Sequence, residues 1–476
     1  MKKLFVGFLA ILSVAFLGSC SSKEETKALT HAEYLKAEKG TTVTIEAYIQ
    51  GKQAWWESDG IGVATFYLQD QDGGYFVYNL PCDKNAYDND LTIGTKIQVT
   101  GQKTDWAGEI EIAGLAEGAE ATYTVLKDKK YIATPKDVTA FLGTDTLLDS
   151  QNMAVEFKDL YVVAQEDRTS AFYYKYDNSG KDGDDLYLTL SDGVHYLSAC
   201  VESYLCDKDS EVYNAVKTLA VGDKVNVEAF LYWYNGAQPH VTKVTKTGTN
   251  IFTKAQGTNT HAEYAKAENG TPLVIEAFIQ GKQAWWENDG IGVASFYLED
   301  NVGGYFAYNL PCTKSDYDTK LTLGKKIRIK GNKTSWAGEN EIDGLAPGAE
   351  ATYEVLEDRY TASPIDATNE LGKDSLLQYQ NMFAKFKGLT VVAKDKEHVI
   401  YYKHNNAGTR GDDIYFDVSD GKTTYTFTVE SYLCDENSDC YKAVEALKDG
   451  DKIDIEGFLY WYNGVQPHVT KVTPTK

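Results

Sequence analysis

From Val43 onward the chain alternates apolar and polar residues with period two, the pattern of half-buried strands. Val43-Thr44-Ile45-Glu46-Ala47-Tyr48-Ile49 predicts a first strand and Val63-Ala64-Thr65-Phe66-Tyr67-Leu68 a second. Tyr75-Phe76-Val77-Tyr78 predicts a third, set off by a turn at Asp72-Gly73-Gly74. Pro81 to Leu91 has room for one or two helical turns. Leu91 to Gly101 then predicts a turn and a fourth strand, and Glu109 to Ile112 a fifth. The grammar repeats further on. Ala154 to Val163 reads as a strand, and Asp185 to Leu190 with His195 to Val201 as a hairpin around Asp192-Gly193. Glu211 to Leu219 reads as a helix, Val221 to Glu228 parallels Ile93 to Val99, and His240 to Val244 closes the set. Ahead of all of them, Thr30 and Glu33 have the Thr-x-x-Glu spacing of a capping box, predicting a short helix with His31 in its first turn.

The whole pattern then occurs a second time, with a period of about 230 residues. Thr30-His31-Ala32-Glu33-Tyr34 matches Thr260 to Tyr264, and Gly51-Lys52-Gln53-Ala54-Trp55-Trp56-Glu57 returns unchanged as Gly281 to Glu287. Tyr78 to Cys82 recurs at Tyr308 to Cys312, Glu202 to Asp207 at Glu430 to Asp435, and Phe230 to Gly236 at Phe458 to Gly464. Each unit divides in two, so the expected segments are 30–128 and 129–247, a linker at 248–259, then 260–358 and 359–476. Three strands, a helix and two strands is the element order of a small Greek-key barrel. On that order, and on the shared fourth-strand run, the chain resembles the OB-fold (oligonucleotide/oligosaccharide-binding) superfamily four times over. The expected fold class is all-β with short helices, four five-stranded OB-like barrels forming two duplicated two-barrel units. A plain β-sandwich is the next alternative.

The first residues belong to a different grammar. Lys2 and Lys3, an apolar run from Leu4 to Leu17 and the ending Leu17-Gly18-Ser19-Cys20 resemble the signal and lipobox of bacterial lipoproteins. The resemblance implies a signal peptide at 1–19, lipidation of Cys20 and an acidic linker over 20–29 in which Ser21 to Glu25 looks like a surface-export tag. The chain would then sit in the bacterial cell envelope, lipid-anchored and surface-exposed, meeting the membrane only through the lipid on Cys20.

Charge narrows the partners. Against 47 Lys and Arg stand 70 Asp and Glu, a net charge of −23, and loss of Lys2 and Lys3 deepens it. Such a body repels phosphate backbones, and no basic run offsets the average, so nucleic acid is disfavoured as a partner. Among the six cysteines after Cys20, local bridges Cys200–Cys206 and Cys434–Cys440 and six free thiols both remain open.

All eight tryptophans are duplicated pairs, Trp55/Trp285, Trp56/Trp286, Trp106/Trp336 and Trp233/Trp461, and these are the candidate ligand-binding residues. In the barrel reading Trp55 and Trp56 lie between strands one and two, and Trp106 between strands four and five. Trp233 takes that last place in the second barrel. In OB-folds both connections flank the ligand face. An indole stacks on a sugar ring or a base, while Gln53, Glu57 and Asp105, or Gln283, Glu287 and Asn288, supply hydrogen bonds. Adjacent residues on an extended chain point to opposite sides, so one of Trp55 and Trp56 is expected to plug the barrel instead.

No nucleophile motif, phosphate loop or zinc-protease motif occurs, so no catalytic residue and no cofactor is expected. His31/His261 and His240/His468 are the duplicated histidines and read as structural. Acidic turns such as Asp70-Gln71-Asp72-Gly73 lack EF-hand spacing, so no metal is expected either. The expectation is a surface binding protein for polysaccharide or glycoprotein. The alternatives are single-stranded nucleic-acid binding and a structural or protein-docking module without a small ligand.

Overall fold

The computed structural model describes residues 27–475 apart from 166 and 168, so the leader and Cys20 lie outside the described residues. The chain is all-β with short helices, and its strands close into barrels of OB type. In the first, barrel 1a, the strands are β1 Thr42–Lys52, β2 Ile61–Gln69, β3 Gly74–Pro81, β4 Lys96–Trp106 and β5 Glu109–Ala113. They pair in the order β1-β2-β3-β5-β4, and β4 returns to β1, with β3 and β5 parallel and the rest antiparallel. Two helices attend it: α1 His31–Lys36, held by the Thr30/Glu33 capping box, and α2 Lys84–Asn89 between β3 and β4.

Barrel 1b uses the same ring with β6 Ala154–Val163, β7 Leu186–Ser191, β8 Tyr196–Val201, β9 Lys224–Phe230 and β10 His240–Lys246. Its helix α3, Glu211–Lys217, is capped by Ser210 and buries Val212, Tyr213 and Val216. Barrels 2a and 2b repeat the topology from Pro272 and Phe383 onward.

Period two explains the interiors. Along β1, Val43, Ile45, Ala47 and Ile49 face the core while Glu46, Tyr48 and Gln50 are only partly covered. Strands β2 and β3 break that rule, because Val63 to Gln69 and Gly74 to Val77 are buried on both faces. A strand covered on both sides has something packed on its outer surface. Here that something is barrel 1b. Tyr67 on the outside of β2 stacks on Phe230 at 4.4 Å and 9°, and the Ala154 amide donates to Gln69 Oε1 at 2.8 Å.

The segment 248–259 between the units is itself packed. Ile251 joins Tyr161, Val163, Phe278, Tyr360 and Ala362 in a cluster spanning barrels 1b and 2a. The buried Lys326 ammonium donates to the Ile251 and Thr253 carbonyls at 2.9 and 2.8 Å. Cys82, Cys200, Cys206, Cys312, Cys434 and Cys440 are all free thiols.

Candidate ligand-binding cleft

Where barrels 1a and 1b meet, their docking leaves a cleft of about 400 Å³. Barrel 1a contributes Gln53, Ala54, Trp56, Phe76, Tyr78 and Asn79, and barrel 1b contributes Glu202, Tyr204, Tyr232 and His240. The second unit has a cleft of about 380 Å³ in the same place. Its ten lining residues, from Gln283 to His468, are the same ten residue types in the same order.

Local chemistry explains why these side chains are where they are. The segment after β1 is tied at three points. Gln53 donates its amide to the Thr65 carbonyl at 2.9 Å, and Ala54 donates to the Tyr204 carbonyl of barrel 1b at 2.7 Å. The Tyr87 hydroxyl donates to the Gln53 carbonyl at 3.0 Å. Trp56 then pairs with Val63 in a short hairpin and projects into the cleft, 42 % exposed. On the same barrel Asn79 adopts a left-handed φ of 52°, and its amide donates to Thr65 Oγ1 at 3.0 Å. Asparagine tolerates that conformation better than most residues. A bulge between Ala64 and Phe66 lies opposite this turn of the chain, and Tyr78 emerges exposed from an otherwise buried strand.

The floor is aromatic. Phe76 meets Tyr232 edge-on at 5.4 Å, and Tyr232 stacks on His240 at 4.3 Å. His240 is buried, and its Nδ1 shares a hydrogen bond of 2.6 Å with the Tyr67 hydroxyl. Burial pushes its imidazole down to about 3, so at neutral pH the ring is uncharged. His468 in the second unit shares 2.7 Å with Tyr297 and is pushed down equally.

One carboxyl faces this floor. Glu202 Oε1 accepts the Tyr204 amide at 3.2 Å, while Oε2 is buried with no partner among the described residues. Burial, aided by nearby Asp185, pushes the Glu202 carboxyl up to about 7. Glu430 repeats both features, with the same buried, unpartnered Oε2 and a carboxyl pushed up to about 7. No Lys or Arg lines either cleft.

A second buried carboxyl holds the walls together. Glu109, fully buried at the start of β5, accepts from three groups of barrel 1b. These are Asn152 Nδ2 at 2.5 Å, Gln151 Nε2 at 3.2 Å and the Trp233 amide at 2.9 Å. Desolvation outweighs these donors and pushes it up to about 8. Glu339 does the same with Asn381, Gln380 and Trp461 at 2.6, 3.3 and 2.8 Å. Gly51 and Gly74 allow the barrels to approach closely, since a Cβ would collide with the Phe230 ring at the first and with the Asn152 backbone at the second.

The tryptophans therefore separate. Trp56 and Trp286 line the clefts. Trp55 lies against Gly62, where no Cβ would fit, and donates its indole N–H to the Cys82 carbonyl at 2.9 Å; Trp285 does so with Cys312 at 2.9 Å. Trp233 and Trp461 are partly buried against the cores of barrels 1b and 2b. Trp106 and Trp336 stand 64 % exposed at the β4–β5 turn and its copy, outside the cleft lining. Sequence reasoning did not single out Glu202, Tyr204, Tyr78 or Tyr232 as site residues. Their signal was available in the unchanged runs Tyr78 to Cys82, Glu202 to Asp207 and Phe230 to Gly236.

Among the described residues no group of three or more His, Cys, Asp or Glu is placed to hold a metal ion. The Asp70 turn uses its carboxylate internally, accepting from the Asp72 and Gly73 amides and the Tyr75 hydroxyl, each at 2.8 Å. No described helix is long and apolar enough to cross a membrane.

No protein-family model matches the chain, and no curated protein does. Similar solved structures include a murine DNA-binding protein bound to double-stranded DNA, at 13 % identity and TM-score 0.17 over 43 % of this chain and 98 % of that one. A replication protein A heterotrimer bound to single-stranded DNA aligns at 10 % identity and TM-score 0.18, covering 68 % of this chain and 94 % of the other. The tetrameric p202 HIN2 aligns at 12 % identity and TM-score 0.17 over 43 % and 92 %. Superpositions this loose say nothing about what this chain binds. The strand ring itself defines the class, a protein of repeated OB-type barrels.

Proposed function

We propose that this is a lipid-anchored cell-surface protein that holds a glycan in each of its two inter-barrel clefts and performs no chemistry on it. One observation carries the reading. All ten cleft-lining residues are the same in both units, and they combine exposed aromatics with amides and a carboxyl while lacking any cation. Trp56, Tyr78 and Tyr204 offer faces for the C–H side of a sugar ring, and Gln53, Asn79 and Glu202 offer partners for its hydroxyls. Leu17-Gly18-Ser19-Cys20 supports the anchor and the envelope location. Two clefts on one chain raise the apparent affinity for a polymer that spans both.

Single-stranded nucleic acid is the second reading, favoured by the five-stranded OB ring and by aromatics on which bases could stack. The missing cations count against it, because phosphate contacts dominate such binding. The test follows tryptophan fluorescence of the intact soluble chain during titration with soluble polysaccharides and an oligo-deoxythymidine, at low and high salt. A salt-insensitive response to one polysaccharide, weakened about tenfold or more in Trp56→Ala/Trp286→Ala, is the expected result. A response to the oligonucleotide alone, fading with salt, would replace the glycan by nucleic acid. Silence throughout would leave a protein-docking role.

A further inference from the structure

The lining of the cleft narrows the ligand beyond "glycan". Its exposed aromatic faces present negative quadrupoles, which attract a cation laid over them. Glu202 is the one carboxyl in the lining, and its buried Oε2 has no hydrogen-bond partner among the described residues. A buried acceptor without a donor is costly, so little opposes a turn of the carboxyl that brings this oxygen to a donor carried by a ligand in the cleft. Glu430 leaves the same atom unpartnered in the other cleft. His240 contributes no positive charge to oppose a cation, being buried and bonded to Tyr67. Unpaired carboxyl oxygen, aromatic surround and absence of Lys or Arg recur together in both units.

We propose that each cleft selects an amino sugar, seating its ammonium group against the carboxyl of Glu202 or Glu430 and among the faces of Trp56 and Tyr204 or Trp286 and Tyr432. This rests on the glycan reading and deepens it. No covalent step is involved. The ammonium donates to the carboxylate while the sugar ring stacks. Cellohexaose, with a hydroxyl in place of each ammonium, therefore keeps the stacking and loses the ion pair, and the N-acetylated hexamer loses it and adds a bulkier amide.

The test measures calorimetric affinities of the intact soluble chain for a glucosamine hexamer, its N-acetylated counterpart, cellohexaose and choline, all at about 0.15 M salt. The expected result is glucosamine hexamer binding about tenfold tighter than the N-acetylated hexamer. The isosteric double variant Glu202→Gln/Glu430→Gln should abolish that preference. The variant still carries a strongly acidic surface, so a preference that survives in it would reflect bulk charge and overturn the proposal. Equal binding of the neutral and cationic hexamers would overturn it too, while leaving the glycan reading in place. Failure of every saccharide would remove the glycan reading itself. Glutamate-dependent binding of choline with no saccharide binding would keep the ammonium but overturn the sugar. Thermal melts of the variant beside the wild type confirm that it is folded.

Discussion

The chain contains two kinds of seam between barrels, and they are built differently. The seam inside a unit occurs twice and is nearly the same each time. Tyr67 on Phe230 and Tyr297 on Phe458 are stacked at 4.4 and 4.3 Å, and each unit has a fully buried glutamate held by three donors of the second barrel. The seam between units occurs once, through the Tyr161, Phe278 and Tyr360 cluster and the Lys224–Asp358 ion pair at 2.6 Å. Copy one shows what that single use changed. The place of Phe278 is held by Tyr48, which is partly exposed and donates its hydroxyl to Asp128 at 3.0 Å. Sequence has drifted where the units join and has largely been kept where barrels of one unit join, with Gln69 and Ala154 replaced by Glu299 and Phe383 but their hydrogen bond retained. Both seams leave a cavity. Only the one inside a unit occurs twice with the same ten lining residues, which is the ground for proposing the two-barrel unit, not the single barrel, as the repeat that binds.

The largest contrast should come from breaking each seam in turn. Glu109→Ala leaves buried donors of Gln151, Asn152 and Trp233 without their acceptor and should lower stability by about 3 kcal/mol in urea unfolding. Lys224→Ala removes a partly exposed pair from the other seam and should change it by no more than about 1 kcal/mol. Equal costs would erase the distinction.

An intermediate effect is expected from pH. The folded carboxyls of Glu111, Glu202, Glu341 and Glu430 are pushed up to about 7 and that of Glu109 to about 8, against an ordinary 4.5. Between pH 6.5 and 8 the unfolded chain has already released these protons while the folded chain still holds some. Stability therefore falls as pH rises through that window. His240 and His468, pushed down to about 3 from 6.5, act below it, where acidification favours the unfolded state. Melting temperature should thus decline from pH 6.5 to pH 8, and less steeply in Glu202→Gln/Glu430→Gln. A rising melting temperature over that range would contradict the assignment of these buried carboxyls.

The smallest effect is expected at the exposed turns. Trp106→Ala/Trp336→Ala removes two large exposed aromatics outside the clefts and should leave ligand affinity within about twofold, well under the loss from Trp56→Ala/Trp286→Ala. A comparable loss would move the site to the rim of each barrel.

Much of the fold was legible because it is written locally. Alternation in Val43 to Ile49, the Thr30/Glu33 box and the Asp72-Gly73-Gly74 turn each specify an element within a few residues. The run Val63 to Leu68 reads as one more half-buried alternating strand, whereas β2 is covered on both faces because barrel 1b packs on it. The cleft was legible only in part. Trp56 stood out by residue type, and Trp55 beside it was open to a packing role by the alternation of an extended chain. Glu202, Tyr204 and His240 become neighbours of Trp56 only through the docking of two barrels, a contact that no local period encodes. Trp106 illustrates the converse. Its connection flanks the ligand face of an isolated OB barrel, but here that face is occupied by the next barrel, and Trp106 is left outside.

Stoichiometry tests the central claim most directly. Titrated calorimetrically with the shortest oligosaccharide that shifts its tryptophan fluorescence, the intact chain should bind two molecules, one for each two-barrel cleft. Four molecules per chain, one for every barrel, would contradict the account and return the site to the individual barrel rims.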